Sequence, residues 1–179
     1  MHSLSSAFVL GYHGCDSATG EKLLKNIPFH QSRNDYDWLG SGIYFWEANP
    51  NRALDWAREL AKRTTRKGKA PFQPFVVGAV IDLGFCLDLI SSNGIEAVEQ
   101  AHKGLVATAL ASQVPLPVNQ GGTDLLLRRL DCAVIEYLHA AREEAKEPGF
   151  DSVRGVFTEA NPLYPNSGFH RKTHIQLCV

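Results

Sequence analysis

Three short segments, widely separated in the sequence, each join an apolar strand pattern to glycine or polar residues, and together they constrain the fold most. They are the tripeptide Tyr12-His13-Gly14, the run GSGIYFWE over residues 40–47, and the run THIQL over residues 173–177. Each segment carries a strand signal. The three look like parts of one site, so we expect the fold to bring the beginning and the end of the chain together.

The first half of the chain predicts strand, helix, loop, strand and helix, in that order. The expected ranges are 8–12 for the first strand, 17–26 for the first helix, 28–42 for the loop and 43–46 for the second strand. Asn49 is a favoured N-cap residue and Pro50 fits a first helical turn, so the second helix is expected to begin there. An apolar stripe at helical spacing follows: Ala53, Trp56, Ala57, Leu60 and Ala61.

The second half begins with residues 73–83, whose β-branched and apolar side chains favour a central strand. Two prolines and a Gly-Gly pair make residues 115–122 a loop. The remaining expected elements are helices over 94–110 and 124–145, a strand over 153–157, a loop over 158–168 and a strand over 173–179. Because strands and helices do not alternate regularly, the pattern favours an α+β domain over a doubly wound one.

Length and composition indicate one globular domain over residues 1–179, with 44% apolar and 21% charged residues. No apolar run approaches the roughly eighteen residues of a membrane span, and the start lacks the basic and apolar regions of a secretory signal. A formal charge of −1 provides little overall field for nucleic acid or anionic membrane. We expect a cytoplasmic protein without a membrane partner. One local basic cluster stands out: Lys62, Arg63, Arg66, Lys67 and Lys69.

The four cysteines are scattered singly, at Cys15, Cys86, Cys132 and Cys178. They have neither the Cys-x-x-Cys spacing nor the histidine offsets of a zinc site. We therefore expect free thiols, no disulfide framework and no metal. No Gly-x-Gly-x-x-Gly follows a strand, which disfavours a Rossmann dinucleotide site.

The pairing of His13-Gly14 with Gly-x-Gly-Ile-Tyr about thirty residues later resembles the ADP-ribosyltransferase superfamily. The similar branch contains the diphtheria-toxin-like and poly(ADP-ribose)-polymerase-like enzymes. The resemblance covers roughly residues 8–60 and 153–179. It implies split β-sheets with flanking helices and NAD as the co-substrate.

The resemblance also implies roles for individual residues. His13 corresponds to the histidine that bonds the adenosine ribose, and Gly14 to the glycine whose backbone holds the nicotinamide amide. Absence of a Cβ would let that backbone approach a flat ring. Tyr44 corresponds to the tyrosine that stacks on nicotinamide, with Gly42 leaving room beneath it, and both His13 and Tyr44 are expected to be site rather than core residues. Tyr36 lies where the family often has a second aromatic, although turn formation explains that loop as well.

The last segment departs from the family pattern because it lacks the usual glutamate. Strand alternation places His174 and Gln176 on one face, which we expect to be the site face. Gln176 can hold the ribose 2′-OH, but a neutral side chain stabilises developing charge less. A carboxylate is expected instead from Glu159 or from Glu47, and Glu159 could also act as a general base, unless it is a solvated loop residue.

Several cations near the last segment leave two interpretations open. Arg154, Arg171 and Lys172 could bind the NAD pyrophosphate or an anionic acceptor, or could simply be solvated. Arg128 and Asp131, three residues apart, are expected to form an intrahelical pair.

The expected activity is transfer of a single ADP-ribose unit from NAD to a protein or nucleic-acid acceptor, because polymer formation usually depends on the missing glutamate. The resemblance further implies a small toxin or anti-phage effector, with a cognate antitoxin as a partner. Two alternatives remain open at this point: an NAD glycohydrolase that uses water as the acceptor, and a catalytically degenerate NAD-binding module.

Overall fold

Strands from both ends of the chain meet in one sheet in the computed structural model, which describes residues 8–68, 70–122 and 125–179. The strands are β1 (Phe8–Asp16), β2 (Tyr44–Glu47), β3 (Pro74–Asp82), β4 (Cys86–Asp88), β5 (Asn119–Gln120), β6 (Leu127–Arg128), β7 (Ser152–Pro162) and β8 (His170–Cys178). The helices are α1 (Ser17–Leu24), α2 (Pro50–Arg66), α3 (Ser92–Ser112) and α4 (Arg129–Glu144). This mixed architecture confirms the expected α+β class.

The described residues form a six-stranded sheet in the order β3-β1-β2-β8-β7-β4, and a separate ribbon of β5 and β6. All pairings in the large sheet are antiparallel except that of β4 with β7. Strands β1, β2 and β8 are neighbours, so the three segments that constrain the fold do lie side by side.

The two faces of the sheet follow from strand alternation and register. Trp46 pairs with Tyr12 of β1 and with Gln176 of β8, and residues paired across strands share a face. We call this side the front face. Phe45 and Leu177 also pair, and they mark the back face.

Each face carries part of the hydrophobic core. The front cluster contains Leu39, Leu87, Ile135, Val153 and Cys178. The back cluster contains Phe45, Leu83 and Leu177. Helix α2 also lies against the front face, where it approaches β1 closely at Gly14. Around Gly14 and the front cluster, the front face is therefore covered by helices, and a site there lies between the sheet and its helical layer.

Local signals located the start of α2 correctly. The Asn49 side chain accepts a hydrogen bond from the Arg52 backbone N–H at 3.0 Å, and Pro50 is the first helical residue. The free thiols are also confirmed: Cys15, Cys132 and Cys178 are buried, and Cys86 is partly buried.

Three expected elements are wrong. Among the described residues, strand β3 is an edge strand rather than a central one, because no strand pairs with its far side, and its Val80 is 69% exposed. The expected loop over 115–122 contains β5, which pairs with β6. Most of the expected loop over 158–168 is strand or tight hairpin, because β7 continues to Pro162 in register with β8.

The long helix α4 begins at Arg129, after the ribbon, instead of at the expected Asp124, which itself lies outside the described residues. Arg128 immediately precedes it, and the expected pair of Arg128 with Asp131 is present at 3.8 Å. Within the described parts of the chain, no helix is long and apolar enough to cross a membrane.

Candidate functional site

The β7–β8 pair brings three of the expected site residues to the front face. Phe157 of β7 lies opposite His174 of β8, and Gly155 lies opposite Gln176. Glu159, two residues after Phe157, therefore projects from the same face as His174 and Gln176. Because β7 extends beyond its expected end, Glu159 is a strand residue, and its side chain is only 12% exposed.

Arg52 meets Glu159 from above the sheet. It lies in the first turn of α2, is 7% exposed, and forms an ion pair with the Glu159 carboxylate through Nη2. Its guanidinium also lies over the Trp46 ring, 5.3 Å from the ring centroid. Such a cation–π contact stabilises a desolvated cation that would otherwise be costly to bury.

Several buried nitrogen atoms around this ion pair are left without partners. The Arg52 Nε and Nη1 atoms, the Trp46 indole Nε1 and the His174 Nε2 find no hydrogen-bond partner among the described residues. His174 Nε2 lies 3.8 Å from Glu159 Oε1, and the His174 and Trp46 ring centroids are 6.4 Å apart. We call Arg52, Trp46, Glu159 and His174 the Arg52 cluster. Native proteins rarely leave so many buried polar atoms unpaired, so the cluster is a candidate site for a polar ligand or an ordered water.

Electrostatics keep His174 neutral. Burial, reinforced by the nearby Arg52 cation, lowers the pKa of His174 to about 4. At neutral pH the imidazole can therefore donate or accept one hydrogen bond at Nε2, depending on its tautomer. Glu159 is the carboxylate of the Arg52 cluster. Its Oε2 also lies 3.8 Å from Lys172 Nζ.

Gln176 is linked to a second cation beside the Arg52 cluster. Its Oε1 accepts a hydrogen bond of 2.6 Å from the Trp38 indole. The Arg128 guanidinium lies over the Trp38 and Phe157 rings at 5.1 Å and 4.4 Å, and burial lowers its pKa. Gln176 is thus oriented by Trp38, and its carbonyl oxygen already has a donor.

A cavity of about 340 Å³ opens beside Trp38 and Arg128. Helices α3 and α4 supply most of its lining, including Val98, His102 and Val134. This volume falls within the range typical of small-molecule sites. The cavity and the Arg52 cluster are connected through Phe157, which contacts both Trp38 and His174.

His13 lies away from this site, on the back face. Its ring contacts Phe29 at 5.2 Å and Phe45 at 5.8 Å, and its Nδ1 lies 2.8 Å from the Tyr44 carbonyl oxygen. Burial lowers the pKa of His13. The expectation that the His13 and Tyr44 side chains line the same site is wrong, because the β1–β2 register places them on opposite faces.

Tyr44 is on the front face, where its side chain packs in the hydrophobic core. Its hydroxyl donates to the Gly40 carbonyl at 2.9 Å and accepts from the Leu39 N–H at 3.0 Å, and its ring packs against the front core cluster. Burial raises the pKa of Tyr44. The expectation that Tyr44 is a site rather than a core residue therefore needs correction.

The motif glycines have structural reasons for lacking side chains. A Cβ on Gly14 would lie 2.1 Å from the Ala53 carbonyl oxygen of α2. A Cβ on Gly42 would lie 2.5 Å from the Cys178 sulfur and 2.9 Å from the Val179 carbonyl oxygen. Helix and strand contacts thus account for both glycines without a bound nicotinamide.

The alternative carboxylate, Glu47, is excluded from the front site. It lies on the back face and accepts two hydrogen bonds from Arg154, at 2.7 Å and 2.9 Å. These bonds raise the pKa of Arg154, whose Nη1 also bonds Asp88 at 3.2 Å. The suggestion that Arg154 binds pyrophosphate is wrong for the same reason, since its donors are already committed to carboxylates.

The remaining candidates lie at the surface or at the site margin. Tyr36 lies in the loop before β2 and is 39% exposed. The preceding residue, Asp35, forms an ion pair with Arg129 at 2.8 Å. Lys172 is partly buried and binds Glu59 of α2 at 3.1 Å, whereas Arg171 is exposed.

Arg52 is the residue that sequence reasoning missed. The predicted apolar stripe of α2 runs through Ala53, Trp56 and Ala57, and it gives no role to Arg52, which lies directly beside it. Arg52, Trp56, Glu59 and Arg63 recur at spacings of four, three and four residues, which places them on one side of a helix. An arginine in the first turn of such a stripe, where the helix dipole disfavours a cation, was the available signal.

Comparison with known proteins gives little functional information. No family model and no solved structure matches the chain. The chain is similar to an uncharacterized protein of Methanocaldococcus jannaschii, with 26% identity over 185 residues, covering 94% of this chain and 80% of that protein. The function therefore has to be argued from the geometry of the site.

Proposed function

We propose that the protein is an NAD-dependent mono-ADP-ribosyltransferase that cleaves the nicotinamide–ribose bond and transfers one ADP-ribose unit to a macromolecule. One observation carries the proposal: the partly buried Glu159 carboxylate lies among unpartnered nitrogens of Arg52, Trp46 and His174, on the sheet face shared by β2 and β8. Cleavage through an oxocarbenium-like state needs a carboxylate near the reacting ribose and fixed donors for the rest of the substrate.

The proposed chemistry assigns Glu159 to the reacting ribose. The bond between the ribose C1′ and the nicotinamide nitrogen breaks, and both electrons leave with nicotinamide. Glu159 stabilises the positive charge that develops on the ribose. An acceptor lone pair then forms the new bond to C1′, and the acceptor proton passes to Glu159 as general base.

Arg52 has a distinct role in this proposal. Its Nη2 holds Glu159 in place. Its two unpartnered nitrogens are buried in this conformation, so they reach phosphate oxygens of NAD only when α2 moves away from the sheet. Charge-assisted hydrogen bonds of this kind are stronger than neutral ones, and a buried arginine is well suited to phosphate. Binding of NAD would then satisfy donors that the protein alone leaves unpaired.

The other motif residues are reassigned accordingly. Gly14 lies beside the site, against Ala53 of α2, and Tyr44 shares the front face with it as a core residue, whereas His13, on the back face, is given no contact with NAD. The described β1 and β2 residues pair only at Gly11–Glu47 and Tyr12–Trp46, but they belong to one continuous six-stranded sheet, so the expected split of the sheet stays a prediction. Because Gln176 is neutral, the site suits single transfer rather than polymer formation.

Incubation with adenine-labelled NAD and separate pools of protein, RNA and DNA tests the function. We expect nicotinamide release together with label that stays attached to one macromolecular pool. Release of nicotinamide with free ADP-ribose alone would identify the glycohydrolase alternative. Saturable NAD binding without nicotinamide release in any pool would identify the binding module instead.

A further inference from the structure

We infer that the acceptor is single-stranded nucleic acid, bound along a basic surface that ends beside Glu159. The inference rests on the proposed function for its chemistry, but the binding itself can be measured without NAD. The surface consists of Lys62, Arg63, Arg66 and Lys67 at the end of α2, and we call it the α2 basic stripe.

The α2 basic stripe is exposed and carries little compensating charge. Four cations fall within six residues, and all four side chains belong to exposed residues, although the whole chain has a formal charge of −1. Among the described residues, the acidic partner recorded for the stripe is Glu59, which lies 3.8 Å from Arg63. A concentrated cationic surface on an otherwise near-neutral protein is complementary to a phosphate backbone.

Side-chain contacts place this stripe next to the proposed catalytic carboxylate. Glu59 binds both Arg63 and Lys172, and Lys172 lies opposite Glu159 in the β7–β8 register. From Glu59 to Arg66 the helix rises roughly 10 Å, a length comparable with two nucleotides. A strand of nucleic acid on the stripe would therefore lead toward Glu159.

Aromatic rings lie beside the stripe and in the connection that follows β7, the strand that carries Glu159. Arg63 lies 5.1 Å from the centroid of the partly buried Trp56 ring. In the connection between β7 and β8, Tyr164 is 54% exposed and Phe169 is 69% exposed. Basic residues that follow a backbone, combined with rings on which bases stack, are typical of single-strand binding.

Fluorescence anisotropy with a fluorescein-labelled 20-nucleotide single-stranded DNA, its RNA equivalent and the matching duplex tests the inference. The test variant is Lys62→Glu/Lys67→Glu, and the matched control is Lys22→Glu/Lys25→Glu at the end of α1, which makes the same change in net charge. We expect the test variant to bind single strands at least about tenfold more weakly, with the salt slope reduced by about 1.4, since each phosphate contact contributes roughly 0.7. The control should bind within about twofold of the wild type.

A second variant, Tyr164→Ala/Phe169→Ala, separates stacking from charge. It should weaken single-strand binding at least about fivefold and leave the salt slope unchanged, because stacking releases no counterions. Equal weakening by the test and control charge variants, tighter binding of the duplex, or label appearing in protein alone would overturn the inference. Absence of binding with intact nicotinamide release would remove only this inference, whereas binding without nicotinamide release would remove the proposed function.

Discussion

Gly14→Ala is expected to lower the free energy of unfolding by about 3 kcal/mol, at the upper end for overpacking by one methyl group. The added Cβ would lie 2.1 Å from the Ala53 carbonyl oxygen and 3.0 Å from its carbonyl carbon. These are helix backbone atoms, which cannot rotate away as a side chain can. Helix α2 would have to move off β1, and Arg52 would move with it. Urea denaturation monitored by far-UV circular dichroism measures the change.

Gly78→Ala provides the matched control, because Gly78 lies in the neighbouring strand β3 on the same face. Its added Cβ would meet the Tyr12 ring at 3.2 Å, and it should change stability by less than about 1 kcal/mol. If Gly14→Ala keeps full stability but loses activity, then the glycine is required by a ligand and not by α2. That result would restore the motif interpretation of Gly14.

Arg52→Met is expected to destabilise the protein by about 3 kcal/mol, because it leaves the buried Glu159 carboxylate without its main partner. The value is placed at the low end for a broken buried pair because Lys172 also lies 3.8 Å from Glu159. Adding Glu159→Gln to the variant removes the uncompensated charge and should restore part of the lost stability. A thermodynamic cycle over the two single variants and the double variant measures this coupling.

The control for this cycle is Arg58→Met in the same helix. Arg58 pairs with Asp55 at 3.2 Å, but both side chains are more than half exposed, so the substitution should cost less than about 0.5 kcal/mol. Additive effects of Arg52→Met and Glu159→Gln would mean that the two side chains do not act as a pair, and the site as described here would be wrong.

Local chemistry made parts of the fold predictable. The N-cap Asn49, the following Pro50 and the apolar stripe specify α2 within a few neighbouring residues, so its start was predicted correctly. The alternation of His174 and Gln176 on one face also follows from strand geometry alone, and the structure confirms it. In both cases the determining contacts lie close together in sequence.

The failures share a different cause. Whether His13 or Glu47 faces the site depends on how β1 pairs with β2, which neither segment determines by itself. The length of β7 depends on its partner β8, so Glu159 could not be recognised as a strand residue from its own neighbours. Arg52 is buried and paired only because β7, which carries Glu159, lies beneath α2. Strand register and helix placement depend on contacts between segments that are distant in sequence, so the periodicity of one segment does not predict them.

The proposed mechanism requires a carboxylate on the front face, which Glu159 supplies and Glu47 does not. Both are partly buried carboxylates bound by an arginine, but they lie on opposite faces of the sheet. Glu159 is surrounded by unpartnered donors, whereas Glu47 belongs to a bidentate pair with Arg154. Substitution of each carboxylate by glutamine therefore makes a matched comparison of charge loss with little change in shape.

The most direct test measures the rate of nicotinamide release from NAD by the wild type, Glu159→Gln and Glu47→Gln, with folding of each variant checked by thermal unfolding. We expect Glu159→Gln to reduce the rate at least about 100-fold, as for loss of a group that stabilises transition-state charge. Glu47→Gln should stay within about threefold of the wild type while losing some stability. A folded Glu159→Gln variant that releases nicotinamide at the wild-type rate, or a larger loss in Glu47→Gln, would contradict the assignment of the front face as the catalytic site.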